Sequence, residues 1–136
     1  MANISRSRVL SADPGAVERA ITDDVAAFMR TAGYDSVQLE DGRLELEQTL
    51  GLANFSLTLR IVDDSDSVLA LEQEAGHFEA MTTNYKVESV NGGTELSART
   101  EFTLGGVVGS VLDETLVRRQ RGKELEAQFD FVEDVL

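Results

Sequence analysis

Cysteine and tryptophan are absent from this sequence of 136 residues, and proline and histidine occur once each. Without cysteine there is no disulfide framework, no thiolate metal site and no thiol nucleophile. With one histidine, His77, a cysteine–histidine triad is excluded, and no GxSxG-type motif supports a serine triad. Lysine is scarce: Lys86 and Lys123 stand beside ten arginines, and these 12 cations face 25 acids, a formal net charge of −13. Such acidity disfavours nucleic acid and anionic membrane surfaces, which repel the chain at long range. No stretch approaches the ~18 consecutive apolar residues of a membrane span. "MANISRSRVL" lacks the apolar run of a signal peptide. The expectation is a soluble cytoplasmic protein without stable membrane insertion. The acids are dispersed rather than gathered in a tail, so they do not form a disordered arm. Dispersed acidity with little lysine points to adaptation to high salt, where screening shortens the reach of each charge.

What is present is enough for a core. Hydrophobic residues make up 42% of the chain, and the length suits one domain, residues 1–136. Ile4 to Leu10 reads as a first strand. Asp13 can cap a helix whose first turn holds Pro14, and Val17, Ala20, Ile21, Val25 and Phe28 follow at helical spacing. Thr22 or Asp23 offers a second cap that would split this stretch in two, and Gly33 ends it. From Val37 the period changes to two. Runs around Leu44–Leu50, Phe55–Ile61, Leu69–Ala75, Met81–Val87 and Leu96–Leu104 alternate apolar and polar side chains. The turns between them carry turn chemistry: "EDG" at Glu40–Gly42, "DDSDS" at Asp63–Ser67 and "NGG" at Asn91–Gly93. An antiparallel meander of six strands results, with one apolar and one wet face. Its apolar face must be covered, and the element long enough to do so is the closing helix, from about Val108 to Leu136.

Three segments resemble one known family: "SADPGAVERAITD" after the first strand, "YKVESVNGGTELSARTEFTL" as the last hairpin, and "GGVVGSVLDETLVRRQRGKELEAQFDFVEDVL" as a glycine-opened closing helix. Together, and in this order along the whole chain, they resemble the SRPBCC superfamily. It is also called START-like or helix-grip, and includes polyketide cyclase-like and birch-pollen-allergen-type proteins. The resemblance implies an α+β helix-grip fold. A curved antiparallel sheet of about six to seven strands would wrap around a long C-terminal helix, with one or two short helices after the first strand. It also implies a cavity between sheet and helix, which in such families usually holds a hydrophobic small molecule or lipid. A minority of members are cyclases, dehydratases or hydrolases, and some are adaptors for other proteins. No motif here selects a subfamily.

A filled core needs no polar side chain on its inner face, yet the inward registers contain Gln48, Gln73, Thr83, Tyr85 and Thr100. A buried amide left without a partner costs on the order of 1–3 kcal/mol. These groups therefore pair with one another, sit wet at strand ends, or orient a ligand in a mostly apolar pocket. The closing helix raises the same question. Counted in alternating steps of four and three, one face runs Val111, Thr115, Arg118, Gly122, Leu125, Phe129, Val132, Leu136. Its middle is an arginine and a glycine. Either Gly122 makes room for a ligand with Arg118 at the cavity mouth, or this turn overhangs the sheet with Arg118, Arg119, Arg121 and Lys123 in solvent. Glu114 is spaced to pair with Arg118.

Other motifs carry no chemistry. His77 reads as an exposed turn residue. "DDSDS" lacks the glycine and bidentate glutamate of an EF-hand loop. The acid pairs Glu45/Glu47 and Glu72/Glu74 read as a solvated face. "GGVVGS" at Gly105–Ser110 lacks the Lys-Ser/Thr of a phosphate loop and reads as a tight strand-to-helix turn. No catalytic constellation, metal site or cofactor is expected. The leading function is carriage or binding of a hydrophobic small molecule or lipid, with Gln48, Gln73, Thr83, Tyr85, Thr100, Arg118 and Gly122 as cavity candidates. The alternatives are a cyclase- or dehydratase-type enzyme acting through Tyr85 or Arg118, and an adaptor that binds a protein partner through "RRQRGK".

Overall fold

Asp13 caps the first helix as its position demands. Its carboxylate accepts from the Ala16 backbone N–H at 2.7 Å, and Pro14 opens the helical turn where its missing N–H costs nothing. In the computed structural model, which describes residues 1–50, 52–105 and 113–136, this helix is α1 (Pro14–Thr22). It follows β1 (Ala2–Leu10) and precedes α2 (Val25–Arg30). The second cap is Asp24, one residue beyond the pair expected from sequence. Its carboxylate accepts from Ala27 at 3.0 Å, and the Asp23 backbone N–H still completes α1 by bonding to Arg19.

Six strands then run in sequence: β2 (Ser36–Glu40), β3 (Arg43–Leu50), β4 (Ala53–Val62), β5 (Leu69–Ala75), β6 (Phe78–Val90) and β7 (Gly93–Leu104). Each pairs antiparallel with the next, and β1 closes the far edge beside β7, giving the order β1-β7-β6-β5-β4-β3-β2. The registers place like with like. Leu44 faces Leu59 and Leu46 faces Leu57 between β3 and β4, while Thr83 faces Thr100 and Tyr85 faces Ala98 between β6 and β7. The "NGG" turn ends in a close approach that only glycine permits: a Cβ on Gly93 would lie 2.1 Å from the carbonyl oxygen of Leu10.

The long helix α3 (Glu114–Val135) covers the concave face of the curved sheet. Asp113 caps it, accepting from Leu116 at 2.7 Å. The expected start near Val108, the stripe position Val111 and most of "GGVVGS" lie outside the described residues. From α3, Leu125, Phe129 and Val132 are fully enclosed against Leu10, Ile21, Phe28 and Leu96, which makes one continuous core.

The helix is anchored to β1. Arg8 reaches Glu126 and Asp130, each at 2.8 Å, and Glu133 at 3.5 Å, and its guanidinium lies 5.8 Å from the Phe129 ring centre. Hydrogen bonding to Asp130, aided by Glu126 and opposed by partial burial, raises the Arg8 pKa further above its ordinary value. Gly122 is buried beside this strand: a Cβ there would come within 2.9 Å of the Arg6 guanidinium and 3.3 Å of Ile4 Cδ1. The space at Gly122 is therefore filled by β1, which lets the helix backbone approach it. Among the described residues, no helix is long and apolar enough to cross a membrane.

Candidate functional site

The inner face of α3 is rotated relative to the stripe read from sequence. Val117, Arg121, Glu124, Leu125, Gln128, Phe129 and Val132 point inward. Arg121 is only 7% exposed and Glu124 3%. This corrects the placing of Arg121 on a solvated face. Arg118 stands on the outer side, its side chain 47% exposed and 3.2 Å from Glu114, the ion pair anticipated by spacing. Arg119 and Lys123 are also exposed, so "RRQRGK" divides between solvent and core.

A buried arginine persists only if its charge is met and its donors are used. Arg121 satisfies both needs. Its Nη1 lies 2.9 Å from Glu124 Oε1, its Nε donates to Thr100 Oγ1 at 2.9 Å, and its Nη2 donates to the Tyr85 hydroxyl at 3.0 Å. Thr100 shares a 2.8 Å hydrogen bond with Thr83, and Tyr85 donates to Gln128 Oε1 at 2.7 Å. Gln128 in turn lies 3.5 Å from the Met29 sulfur. Burial works against the charge on Arg121, but the oxygens of Tyr85, Tyr34 and Glu124 outweigh it and raise its pKa.

The Glu124 carboxylate is as fully engaged. Beyond Arg121 it accepts from the Tyr34 hydroxyl at 3.3 Å, from Gln120 at 3.3 Å and from the Gln48 amide. Enclosure of the Tyr34 hydroxyl, reinforced by Glu124, holds its pKa well above the ordinary tyrosine value.

Beside this network lies a cavity of about 30 Å³, between α3 and strands β3, β4 and β6. Its apolar wall is Leu50, Leu57, Leu59, Phe78, Met81 and Val117, and its polar wall is Tyr34, Gln48, Thr83, Gln120, Arg121 and Glu124. That volume has room for about two water molecules. Leu50 and Phe78 are only half-buried and sit at the end of one strand and the start of another. A larger surface depression of about 750 Å³ runs between the end of β1, α1 and the end of α3. It is open and shares no lining residue with the interior cavity, and none of the buried polar network borders it, so the smaller interior cavity is the candidate site.

The sequence-derived candidates separate into three groups. Gln48 and Thr83 line the cavity, and Tyr85 and Thr100 support Arg121 from behind. Gln73 clasps the turn between β5 and β6: its Nε2 donates to the Phe78 carbonyl at 2.8 Å and its Oε1 accepts from the Phe78 N–H at 3.2 Å. Arg118 and Gly122 lie outside the cavity, one in solvent and one against β1. Sequence reasoning missed Tyr34, Gln120, Arg121, Glu124 and Gln128. For Arg121, Glu124 and Gln128 the one signal was that they share a helix face with the apolar residues 117, 125 and 132, while Tyr34, in the loop before β2, carried none.

His77 also departs from expectation. Its ring is stacked between Phe55 and Phe78, at centroid distances of 4.3 and 4.2 Å, and neither ring nitrogen finds a hydrogen-bond partner among the described residues. Desolvation lowers its pKa. "DDSDS" forms a turn, with Asp64 accepting from Ser67 at 2.7 Å and from Asn84 at 2.8 Å. No grouping of acids and histidine able to hold a metal occurs among the described residues.

No family model matches this sequence, and no curated protein matches it. Solved structures do match, over nearly the whole chain. TTHA0849 from Thermus thermophilus superposes with a TM-score of 0.77 at 14% identity, covering 98% of this chain and 95% of its own. The Zhui aromatase/cyclase from a Streptomyces species gives 0.73 at 16% identity, covering 97% and 93%. A START superfamily protein from Mycobacterium smegmatis gives 0.65 at 11% identity, covering 97% and 94%. The fold is therefore the helix-grip fold of START-like and aromatase/cyclase proteins, as the three sequence segments suggested. At these identities the likeness establishes architecture only.

Proposed function

We propose that this protein binds a small hydrophobic molecule in the interior between the sheet and α3, with the molecule's polar end against Arg121, Glu124, Gln48 and Gln120. The observation that carries this reading is the two-sided cavity wall. One side is wholly apolar, and the other gathers Tyr34, Gln48, Thr83 and Gln120 around the buried Arg121–Glu124 pair. A mostly apolar enclosure with a few convergent polar groups is the usual make-up of a small-molecule site. Hydrophobic residues of equal volume are often as stable as such a pair or more so, so stability alone does not account for it. The START-like and aromatase/cyclase architecture supports the same reading at the level of the fold.

The present cavity is smaller than such a ligand, so binding requires the half-buried Leu50 and Phe78 to move outward. Native mass spectrometry of the purified protein, with thermal shift against a panel of hydrophobic molecules, tests the proposal. A bound mass or a concentration-dependent rise in Tm is expected. Absence of both across the panel refutes it.

A second reading, catalysis of the cyclase or dehydratase type, has one observation in its favour. Tyr34 presents a hydroxyl on the cavity wall within hydrogen-bond distance of Glu124, a geometry open to proton transfer. Turnover of a polyketone substrate that falls by about 10²-fold in Tyr34→Phe would favour it.

A further inference from the structure

We infer that the site selects ligands whose polar end is a neutral oxygen acceptor, such as a ketone or ester carbonyl, and rejects carboxylates. This rests on the ligand-binding reading above and specifies its chemistry.

Arg121 is the cation on the cavity wall, and Glu124, at 2.9 Å, already neutralises it. An arriving carboxylate would find no uncompensated cation there. It would also lie near a carboxylate held in the same low-dielectric enclosure, where like charges interact strongly. The nearest other cations of α3, Arg118, Arg119 and Lys123, are on its solvent side.

Hydrogen-bond capacity points the same way. Arg121 uses one hydrogen each on Nε, Nη1 and Nη2, directed to Thr100, Glu124 and Tyr85. Each Nη carries a second hydrogen, and neither has an acceptor among the described residues. Gln48 and Gln120 likewise give one amide hydrogen each to Glu124 and keep another. Glu124 meanwhile accepts from four different side chains. The polar wall thus keeps four donor hydrogens, two on Arg121 and one on each glutamine, against the amide oxygens of Gln48 and Gln120, while its carboxylate is already occupied. Such a wall recognises an acceptor without a charge. The apolar wall of Leu50, Leu57, Leu59, Phe78, Met81 and Val117 would receive the hydrocarbon part.

Two probes of similar length separate the possibilities: 2-undecanone and decanoate, titrated at pH 7.5 and followed by methyl NMR of Leu57, Met81 and Val117. The ketone is expected to bind at least roughly tenfold more tightly, as a wall without net charge requires. In Glu124→Gln, which leaves Arg121 unpaired, the ratio should move toward decanoate by a similar factor. A fold-independent check uses the wild type alone: decanoate should bind more tightly as pH falls and its own carboxyl protonates.

Decanoate binding the wild type as tightly as the ketone overturns the inference while leaving the ligand-binding reading intact. So does a ketone-to-decanoate ratio unchanged in a folded Glu124→Gln, or a decanoate affinity independent of pH. If neither probe shifts these methyls, the cavity is not a binding site for such molecules, and both readings fail together.

Discussion

At the scale of the residue, the Arg121–Glu124 pair is the feature least expected of a hydrophobic core. Removing one partner leaves a buried charge unmet, so Arg121→Met or Glu124→Leu alone should cost about 3–5 kcal/mol of stability. The double variant removes both charges and should recover much of that loss, but not all of it, because Tyr34, Gln48 and Gln120 lose their acceptor, a cost of about 1–3 kcal/mol for a group left unpaired. Urea unfolding of the two single variants and the double variant measures this directly. Recovered stability with lost ligand binding would separate the pair's role in recognition from any role in folding.

His77 makes a second residue-scale prediction. Its folded-state pKa is depressed by desolvation below the ordinary 6.5. Between the two values the unfolded chain binds more protons than the folded one, so stability rises with pH there. The protein should therefore lose stability as pH falls below about 6.5, with the loss levelling off below the folded pKa. His77→Phe keeps the aromatic stack between Phe55 and Phe78 without the titration. Its unfolding midpoint should fall less than that of wild type between pH 7.5 and 5.5.

At the scale of the element, the long helix is held to an edge strand chiefly by Arg8, with Arg6 adding a longer contact of 3.6 Å to Glu126. Glu126, Asp130 and Glu133 recur at near-helical spacing and converge on Arg8. Without Arg8, Asp130 and Glu133 lose their cation and Glu126 keeps only Arg6, leaving like charges on one helix face, which is destabilising. Arg8→Ala should cost about 1 kcal/mol at low salt, the upper end for partly exposed pairs. The difference should shrink at 1 M salt, where screening weakens both the lost attraction and the new repulsion. Unfolding curves of both proteins at the two salt concentrations check it.

The strands were legible because their period of two and their turn residues agree. The five runs whose alternation was read from sequence appear as β3 to β7, and β2 begins where the period was expected to change, near Val37. The helix boundary and its inward face were not as legible. Arg121, Glu124 and Gln128 look like solvent-facing residues to any count of hydrophobicity, and only their mutual hydrogen bonds make burial tolerable.

At the scale of the whole molecule, 25 acids against 12 cations put a net charge of −13 on a small body. Self-repulsion in the compact state favours unfolding, and salt relieves it. Stability should therefore rise between 0.1 and 2 M KCl. A urea midpoint that stays flat across that range would mean that local ion pairs such as Arg8 with Asp130 and Arg43 with Glu74 offset the net charge.

The sequence by itself determined the architecture. Its periodicities, turn glycines and helix caps are local signals, and they leave one arrangement in which a meander is covered by its closing helix. Tertiary structure alone decided the site. Gly122 looked like space for a ligand, but β1 fills it. Of the two readings of Arg118, cavity mouth or solvent, its exposure and its pair with Glu114 decide for solvent, and Arg121 holds the inward place one helical step away. The physical reason is that burial of a charged residue depends on partners drawn from distant parts of the chain. Here Tyr34, Gln48, Tyr85 and Thr100 come from a loop and three strands, and no local pattern announces that they meet at α3.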